Sequence, residues 1–433
     1  MKRYIIEGNN LLSGTIKIDG SKNAALALIP ASLLCKSKVI LTNVPNISDV
    51  TDMLTILKEL NVKFSYNNDT LEIDSSNIIN KSLISENIRK IRASYYFMGT
   101  LISLFKKVEI IAPGGCKIGN RPIDYHLLGF KKMGITIKEN NEQFNLSYDI
   151  LNNITISLPN PSVGATINLI LASVISDNEI IIDNISCEPE VLQVIYFLNH
   201  AGAKIKKIDD HTIVIIGVRR LKPITFKVMN ARIEMGTYCI LGALIGNNLT
   251  IQGVDKDNIL SLLSLFNHIN VNYKLRDNNI TFNKSKLLNS LEVSTAPFPL
   301  FPTDLQQPLC VLASHLQEES IIYENIYYDR KGHISELNKM GADIKSIKNK
   351  IIIQGNKSFI GTDVIASDLR GGAALVIAAL CAKGISSIGN IHYIERGYQN
   401  IENDLQKLGA KFYAEEQVIF EKTSFEDTIN RKW

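Results

Sequence analysis

The chain has 433 residues, of which 45% are hydrophobic and 21% are charged, and its formal net charge at pH 7 is +4. This composition is typical of a folded soluble protein with two or three domains. The charged residues are spread along the sequence without a basic block, which argues against a nucleic-acid-binding protein and is compatible with anionic small substrates.

The amino-terminal residues lack the continuous apolar segment of a signal peptide, and no later run approaches the roughly 18 apolar residues of a membrane span. The sequence therefore predicts a cytoplasmic protein that binds no membrane. Its six cysteines lack the paired spacings of zinc sites. We expect Cys35, Cys239, Cys310 and Cys381, which lie in apolar helical runs, to act as small buried hydrophobic residues.

A short pattern recurs along the chain: a hydrophobic residue, then Gly or Asn, then a small apolar residue and the start of a strand. The copies begin at Leu60, Met133, Ala201, Ile269, Met340 and Leu408. They are about 70 residues apart, so six repeated units account for the whole chain. Gly and Asn tolerate the left-handed backbone conformation best, and each copy therefore predicts a helix that ends and a strand that begins.

Each unit also contains an earlier and more apolar helix. These segments are hydrophobic on nearly all sides, which predicts buried central helices. They span residues 24–34, 93–104, 165–175, 236–245, 305–316 and 373–382. Short strands fill the remainder, so each unit is predicted to follow the order strand, buried helix, strand, outer helix, strand, strand.

Six units divide most simply into three and three. We predict a first domain at residues 21–230 and a second domain formed by residues 1–20 and 231–433, with a site in the cleft between them. The sequence leaves open which domain the strand at residues 3–8 completes, and this division places it in the second.

An acidic residue stands near the predicted start of each outer helix. These residues are Asp49, Asp124, Glu188, Asp255, Asp329 and Glu395. A carboxylate there complements the helix dipole and can accept hydrogen bonds from free N–H groups. Capping is therefore the role that the pattern predicts for all of them.

The residues at the start of the buried helices are polar, although the helices themselves are predicted to be buried. They include Lys22 and Asn23, Arg89, Lys90 and Arg92, Ser162, Val163 and Gly164, Arg232 and Glu234, Thr303 and Asp304, and Asp368 and Arg370. Each alone is explained by a cap or a solvated helix end. Because such polar residues occur at the same position in all six units, we predict that the helix amino termini converge on one place and bind anions. No GxxxxGK[ST] loop or metal-ligand spacing occurs, so phosphate binding would fall to Lys and Arg.

The segment at residues 112–126 reads APGGCKIGNRPIDYH and follows an apolar alternating run that predicts a strand. Its Pro and Gly residues break the strand and place Cys116 on a loop. Lys117 and Arg121 would favour the thiolate, and the glycines would let backbone N–H groups approach an anion. Taken alone, the segment is better explained by an incidental loop cysteine.

Six motifs are spread over the chain: GSKNAAL at residues 20–26, PGGCKIGNRPIDYH at 113–126, PSVGAT at 161–166, FPTDLQ at 301–306, DLRGGAAL at 368–375 and ERGY at 395–398. Together they resemble the bacterial UDP-N-acetylglucosamine 1-carboxyvinyltransferases of the EPSP synthase family. The resemblance is collinear over essentially the whole chain, and the cysteine loop together with FPTD is specific to this family. It implies an α/β fold, a two-domain inside-out α/β barrel with three repeated units per domain.

The resemblance implies transfer of enolpyruvate from phosphoenolpyruvate to the 3-hydroxyl group of UDP-N-acetylglucosamine with release of phosphate, the first committed step of peptidoglycan synthesis. It implies no organic cofactor and no metal, and we predict no obligate protein partner. The family's reaction is an addition followed by an elimination. It requires a general acid, a general base and cations around two anionic groups.

The resemblance also implies roles in the reaction for individual residues. Cys116 matches the loop cysteine taken as the general acid, which can form a covalent adduct and which an epoxide such as fosfomycin should alkylate. Asp304 would orient the sugar hydroxyl group and accept its proton, and a helix N-cap is a compatible alternative. The cations would be Lys22, Arg121 and Arg396 for the phosphate group, and Arg330 and Arg370 for the carboxylate, with the division among them left open.

A second group of residues would bind the nucleotide sugar. Asn23 and Arg92 match contacts to the diphosphate and amino sugar, and Asp368 would support the arginines. The other matching positions are Arg121, Pro122, Ile123, Asp124, Tyr125 and His126, then Ser162, Val163 and Gly164 on the uridine side, and Ile326. Ser48, Asn160 and Ser294 depart from relatives that carry Lys or Arg there, which weakens the expected binding of the nucleotide.

Two other functions compete with this one. The shikimate-pathway enolpyruvyl transferase shares the fold and phosphoenolpyruvate, but its family lacks the cysteine loop. A non-catalytic paralogue could keep the nucleotide-sugar site alone. The joint presence of Cys116, Asp304 and the cations argues against that paralogue.

Overall fold

The structure, a computed structural model, describes residues 2–114 and 123–416. Up to residue 231, its strands are β1 (Lys2–Glu7), β2 (Leu12–Lys17), β3 (Lys38–Thr42), β4 (Lys63–Asn67), β5 (Thr70–Asp74), β6 (Lys107–Ile111), β7 (Thr136–Asn140), β8 (Gln143–Ser147), β9 (Ile154–Ser157), β10 (Glu179–Asp183), β11 (Lys204–Lys207), β12 (Ile213–Ile216) and β13 (Thr225–Lys227). The helices are α1 (Lys22–Ser32), α2 (Ser48–Glu59), α3 (Glu86–Lys90), α4 (Tyr96–Phe105), α5 (Asp124–Lys132), α6 (Val163–Val174) and α7 (Pro189–His200), with 3₁₀ turns at Leu33–Cys35 and Arg92–Tyr95.

The remaining strands are β14 (Gly246–Gln252), β15 (Tyr273–Arg276), β16 (Asn279–Phe282), β17 (Glu292–Ser294), β18 (Ser320–Tyr323), β19 (Ile344–Ile347), β20 (Lys350–Ile353), β21 (Asp363–Ile365), β22 (Ile385–Gly389) and β23 (Lys411–Glu416). The remaining helices are α8 (Arg232–Ile245), α9 (Leu260–His268), α10 (Gln306–Ser314), α11 (Gly332–Lys339), α12 (Leu369–Cys381), α13 (His392–Glu395) and α14 (Ile401–Lys407), with 3₁₀ turns at Lys256–Ile259 and Thr303–Leu305. None of the helices in the described ranges has the length and hydrophobicity needed to cross a membrane.

The six apolar segments form helices that are buried over nearly their whole length, as predicted. They are α1, α4, α6, α8, α10 and α12. Because these helices are apolar on all sides, they pack against one another, α4 on α6 and α10 on α12, with the sheets and outer helices around them. The buried helices therefore form the centre of each half of the molecule.

The repeated pattern ends a helix in every unit, because its Gly or Asn adopts the left-handed conformation. The φ angles are 59° at Asn61, 92° at Gly134, 102° at Gly202, 60° at Asn270, 103° at Gly341 and 93° at Gly409. Each of these residues directly follows the C-cap of an outer helix and leads into the next strand. The prediction of six repeated units is thus confirmed.

The described strands form one small sheet per unit. In chain order of the units, the sheets are β13-β3-β5-β4, β6-β8-β7, β11-β12-β10-β9, β15-β16-β14-β2, β17-β18-β20-β19 and β21-β22-β1-β23. Two units exchange the strand that precedes their buried helix: β2 pairs with β14 in the fourth unit, and β13 pairs with β3 in the first. β1 lies between β22 and β23, so both amino-terminal strands belong to sheets of the carboxyl-terminal half.

The buried apolar side chains of the described chain separate into two clusters. One lies within residues 24–228, and the other combines residues 4–18 with residues 233–412. This separation supports the predicted boundaries at residues 20/21 and 230/231, which stay a prediction.

Two chain crossings run side by side between these clusters. Gly20 and Asn230 form an antiparallel bridge, and the N–H groups of Ser21 and Ala231 donate to the carbonyl oxygens of Met229 (2.6 Å) and Asp19 (2.9 Å). A Cβ atom at position 20 would lie 1.7 Å from the Asn43 carbonyl oxygen, so only glycine fits there. The two crossings therefore form a short, paired connection.

We expect Asp19→Asn to stabilise the protein by about 1 kcal/mol at pH 7.5 and by much less at pH 4.5. Burial and the Asp404 carboxylate raise the pKa of Asp19 to about 6, although Lys17 and Lys407 oppose them. Because this pKa exceeds the unfolded value near 4, ionisation of Asp19 destabilises the folded state increasingly as pH rises from 4 to 6. Urea unfolding at both pH values measures the effect.

The matched control is Asp257→Asn, which removes an exposed carboxylate from the same half of the molecule. If Asp19→Asn raised the free energy of unfolding equally at both pH values, the assignment of a raised pKa to Asp19 would be contradicted.

Candidate active site

A cavity of about 630 Å³ is lined by residues from both halves of the molecule. It brings together most of the residues that the sequence predicts for a substrate site. They are Lys22, Asn23, Arg92, Asp124, Tyr125, His126, Ser162, Val163, Gly164, Asp304, Ile326, Arg330, Asp368, Arg370 and Arg396. Residues far apart in sequence thus share one wall.

The amino-terminal ends of all six buried helices reach this cavity. α1, α6, α8 and α12 contribute residues of their first turn, and the 3₁₀ turns before α4 and α10 contribute Arg92 and Asp304. Side chains cap three of these ends: Ser21 accepts from Ala24 N–H, Ser162 from Ala165 N–H, and Asp368 from the N–H groups of Arg370 and Gly371. Helix amino termini carry positive potential, so the cavity favours anions.

Asp304 lies between two buried arginines. Arg330 Nη1 donates to Asp304 Oδ1 (2.7 Å), and Arg370 Nη2 and Nε donate to Oδ2 (3.1 and 3.2 Å). Burial alone would raise the pKa of Asp304, but the two guanidinium charges outweigh it and hold the pKa below its usual value. The side chain of Asp304 makes no cap hydrogen bond, so the alternative role of N-cap is not observed.

A second carboxylate, that of Asp49, lies between two further cations. Lys22 Nζ lies 2.7 Å from Asp49 Oδ2, and Arg396 Nε lies 2.6 Å from Oδ1. Burial would raise the pKa of Asp49, and the charges of Lys22 and Arg396 lower it below its usual value. Because Lys22 lies on α1 and Arg396 follows α13, this ion pair network joins the two halves of the molecule.

The prediction that acids at the outer helices serve as caps is wrong for most of them. Of the six, only Asp255 accepts a hydrogen bond from an N–H group at the start of its helical turn. Glu188 accepts hydrogen bonds from Ser186 Oγ and, at 3.4 Å, from Phe298 N–H. Asp49 and Glu188 lie where their outer helices reach the cavity, so they bind groups across it.

A third buried ion pair also connects the halves across the cavity wall. Arg232 Nε, at the start of α8, donates to Glu190 Oε1 (3.1 Å) and Oε2 (3.2 Å) near the start of α7. Its guanidinium group lies 5.9 Å from the centre of the Phe298 ring. Most of the cavity's charged groups are therefore already paired with one another.

The family model of EPSP synthase (3-phosphoshikimate 1-carboxyvinyltransferase) matches residues 6–405. The "UDP-N-acetylglucosamine 1-carboxyvinyltransferase 2" of Clostridium acetobutylicum is 39% identical over 96% of this chain and 100% of its own length. That of Latilactobacillus sakei is 40% identical over 95% of this chain and 98% of its own length. The chain belongs to the EPSP synthase family and, within it, to the UDP-N-acetylglucosamine 1-carboxyvinyltransferases.

Solved structures of the family support the fold. The enolpyruvyl transferase NikO from Streptomyces tendae superposes with a TM-score of 0.88 at 22% identity, covering 96% of this chain and 99% of its own. The EPSP synthase of Acinetobacter baumannii superposes with a TM-score of 0.72 at 14% identity, covering 96% of this chain and 100% of its own. The predicted fold class, the two-domain α/β fold of enolpyruvyl transferases, is confirmed.

Some residues that the sequence predicts for the site are not found on the cavity wall, for two different reasons. Cys116, Arg121 and Pro122 are outside the described residues. Ile123 is buried directly before α5 and does not line the cavity, and neither do Arg89, Lys90 and Glu234 from the helix-start pattern. Within the described ranges, no group of three His, Cys, Asp or Glu side chains is placed to bind a metal ion.

The sequence pattern missed Asp49 and Glu190, which line the cavity. Both occupy the first turn of an outer helix, where an acid has an ordinary local explanation. One sequence signal could have identified Asp49. Helical periodicity places it on the same inner face of α2 as the apolar Val50 and Met53, which predicts a buried carboxylate.

Proposed function

We propose that the protein transfers the enolpyruvyl group of phosphoenolpyruvate to the 3-hydroxyl group of UDP-N-acetylglucosamine and releases phosphate. The observation that carries this proposal is one cavity that combines Lys22 and five Arg side chains with Asp304, in a chain whose relatives with the matching name align over nearly their full length. The reaction would be the first committed step of peptidoglycan synthesis, in the cytoplasm, and so would support cell shape and division.

Phosphoenolpyruvate carries two anionic groups, and the cavity offers two pairs of cations. Lys22 and Arg396 share Asp49, and Arg330 and Arg370 share Asp304. We assign the first pair, with Arg121, to the phosphate group and the second pair to the carboxylate. Guanidinium groups suit these roles because they bind planar and tetrahedral oxyanions through paired hydrogen bonds.

The two arginines around Asp304 couple its basicity to substrate binding. While they hold its carboxylate, the low pKa makes Asp304 a weak base. A substrate carboxylate that binds Arg330 and Arg370 would compete for the same N–H groups and raise the pKa of Asp304. Asp304 would therefore become an effective proton acceptor for the sugar hydroxyl group when phosphoenolpyruvate is present.

The bond changes then follow in two stages. In the addition, Cys116 donates a proton to the enol CH₂ group, the sugar oxygen bonds to the adjacent carbon, and Asp304 accepts the hydroxyl proton. In the elimination, the new methyl group returns a proton to the Cys116 thiolate and the C–O bond to phosphate breaks, with its electron pair leaving on phosphate. Lys22 and Arg396 would stabilise that leaving group.

The nucleotide sugar would occupy the part of the cavity formed by the first half of the chain. Arg92 lies 5.8 Å from the centre of the Tyr95 ring, and Ser162 to Gly164 form the amino terminus of α6. A helix amino terminus beside an arginine suits a diphosphate. Asn23, Asp124 and Tyr125 would complete this part of the site, and Ile326 would contact the nucleotide sugar from the other half of the chain.

Phosphate release from phosphoenolpyruvate tests the proposal, with UDP-N-acetylglucosamine and shikimate 3-phosphate compared as acceptors. We expect release only with UDP-N-acetylglucosamine. Release with shikimate 3-phosphate alone would overturn the assignment of the acceptor, and binding of the nucleotide sugar without release would indicate a non-catalytic paralogue.

We expect fosfomycin to inactivate the enzyme by alkylating Cys116, and faster when UDP-N-acetylglucosamine is bound. The thiolate is the reactive form, and burial raises the pKa of Cys35, Cys310 and Cys381 to about 12 and also raises that of Cys239. Mass spectrometry of the digested protein identifies the labelled residue.

Cys187 provides the internal control for this experiment. It is half-buried, donates a hydrogen bond to the Asp210 carbonyl oxygen (2.8 Å), and has a pKa raised by burial. Cys187→Ser should leave inactivation and labelling unchanged, whereas Cys116→Ser should abolish the labelling. Label on another cysteine, or on none, would contradict the assigned role of Cys116.

A further inference from the structure

The amide side chain of Asn168 is fully buried behind the cavity and connects three helical segments. Asn168 lies on α6. Its Oδ1 accepts a hydrogen bond from Gly99 N–H on α4 (2.7 Å), and its Nδ2 donates to the Tyr95 carbonyl oxygen (2.8 Å) and lies 2.9 Å from Nδ1 of His126 on α5. The amide therefore has a backbone partner on each side and the imidazole as a third neighbour.

The two backbone partners determine the orientation of the amide. A backbone N–H group can only donate and a carbonyl oxygen can only accept, so Oδ1 must face Gly99 and the NH₂ group must face Tyr95. The second N–H bond of this NH₂ group then points to His126 Nδ1, which must accept. The proton of the neutral ring is consequently on Nε2.

The ring also stays neutral at working pH. Burial and the charge of Arg92 lower the pKa of His126 to about 3, and the Tyr95 ring packs edge-on against the imidazole at 4.7 Å. A neutral imidazole with its proton on Nε2 is a hydrogen-bond donor at that atom.

The Nε2 edge of this ring packs directly against Gly164 in the first turn of α6. A Cβ atom at position 164 would lie 3.0 Å from His126 Nε2 and 2.7 Å from the Tyr95 hydroxyl oxygen. Both Gly164 and His126 line the cavity. The absence of a Cβ atom thus lets the Nε2 edge of the ring pack against the first turn of α6, at the wall of the cavity.

We propose that Asn168 is a positioning residue that fixes His126 as the Nε2–H tautomer, so that the ring offers a neutral donor to an oxygen atom of the bound nucleotide. This inference rests on the proposed function for the identity of the ligand. It gives a residue outside the cavity wall a specific role in binding. Without the amide, either tautomer could form, and one of them would present a lone pair to an oxygen atom.

The first test is ¹⁵N NMR of the full-length protein labelled at its seven histidines. The His126 signals are assigned by their loss in His126→Gln. We expect the shifts of the Nε2–H tautomer, unchanged between pH 8 and pH 5.5. A wild-type ring with its proton on Nδ1, or one that titrates in this range, overturns the proposal whatever the activity of the enzyme.

The second test is Asn168→Asp, with Ser173→Ala as the matched control. In the variant, a carboxylate oxygen would face Nδ1 and move the ring proton there or charge the ring. Ser173→Ala also removes a buried hydrogen bond on α6, that to the Leu169 carbonyl oxygen (2.6 Å), and leaves His126 untouched.

We expect Asn168→Asp to change the His126 spectrum and to raise KM for UDP-N-acetylglucosamine about five-fold, with kcat and the KM for phosphoenolpyruvate little changed. Ser173→Ala should alter neither the spectrum nor KM. An unchanged tautomer in Asn168→Asp overturns the inference. A different result is also possible: the protein transfers no enolpyruvyl group to UDP-N-acetylglucosamine, but the Nε2–H tautomer is observed. The proposed function then fails and the tautomer assignment stands.

Discussion

Asp304→Asn is expected to lower kcat about 10³-fold while the protein remains folded and still binds both substrates. The amide keeps an oxygen atom for Arg330 or Arg370, but it cannot accept the proton of the sugar hydroxyl group. Steady-state phosphate release gives kcat, and isothermal titration gives the affinity for UDP-N-acetylglucosamine.

The size of this effect follows from the surroundings of Asp304. Both partner arginines are 5% exposed, so water replaces only poorly the carboxylate that they lose in the variant. The variant should also be less stable by about 2 kcal/mol, because two buried guanidinium groups lose the charge that they face. If kcat falls by a larger factor than the fraction of folded protein, the carboxylate has a chemical role in addition to its structural one.

Asp329→Asn is the matched control for this variant. Asp329 is the exposed neighbour of Arg330 in sequence and does not line the cavity. The Asp329→Asn substitution removes the same charge from the same half of the molecule and should leave kcat within about two-fold of the wild-type value. Near wild-type turnover in Asp304→Asn would remove Asp304 from its assigned role.

The architecture was predictable because its signals are local and repeated. A helix end that needs a left-handed residue restricts the sequence to Gly or Asn, as at Asn61 and Gly134, and six copies identify the unit. Helices that are buried on all sides must be apolar on all sides. Polar residues at their amino termini, such as Lys22 and Arg370, are therefore exceptions to this rule and indicate a cavity that the helix ends share.

The partners of the charged residues were not predictable from these patterns. Asp49 and Arg396 are 347 residues apart, and a first-turn acid on a helix has a sufficient local explanation. The same limit applies to Asn168, whose partners are a backbone N–H, a backbone carbonyl group and a ring on neighbouring segments. Periodicity indicates that such a residue is buried, and only the fold shows what it binds.

The exchange of strands between the halves was also beyond the repeat pattern. β2 precedes α1 in sequence but pairs with β14, and β13 precedes α8 but pairs with β3. A repeat search assigns each strand to the unit in which it occurs. Pairing is decided by where the chain crosses between the halves, at Gly20 and Asn230, and the sequence marks that point only weakly.

The second large effect is expected from Asp49→Asn, which should lower kcat/KM for phosphoenolpyruvate about 10²-fold and destabilise the protein by about 3 kcal/mol. Burial lowers the pKa of Lys22, and the Asp49 carboxylate is the group that opposes this by raising it, whereas Arg370 and Arg396 lower it further. Without the carboxylate, the pKa of Lys22 would fall further, and a larger fraction of its side chain would be neutral at a given pH. The phosphate site would then lose one of its charges as well as the bridge that joins it to Arg396.

The pH dependence of the variant distinguishes this mechanism from simple unfolding. Because the pKa of Lys22 is lower in the variant, the kcat/KM of Asp49→Asn should decline at a lower pH than that of the wild type as pH rises. Asp52→Asn, one turn further along α2 and away from the cavity wall, is the matched control and should behave as the wild type. Inorganic phosphate should raise the melting temperature of Asp49→Asn more than that of Asp52→Asn, since an anion can replace the missing carboxylate beside Arg396. Equal stabilisation of both variants, with a flat pH profile for Asp49→Asn, would show that Asp49 does not set the charge of the phosphate site.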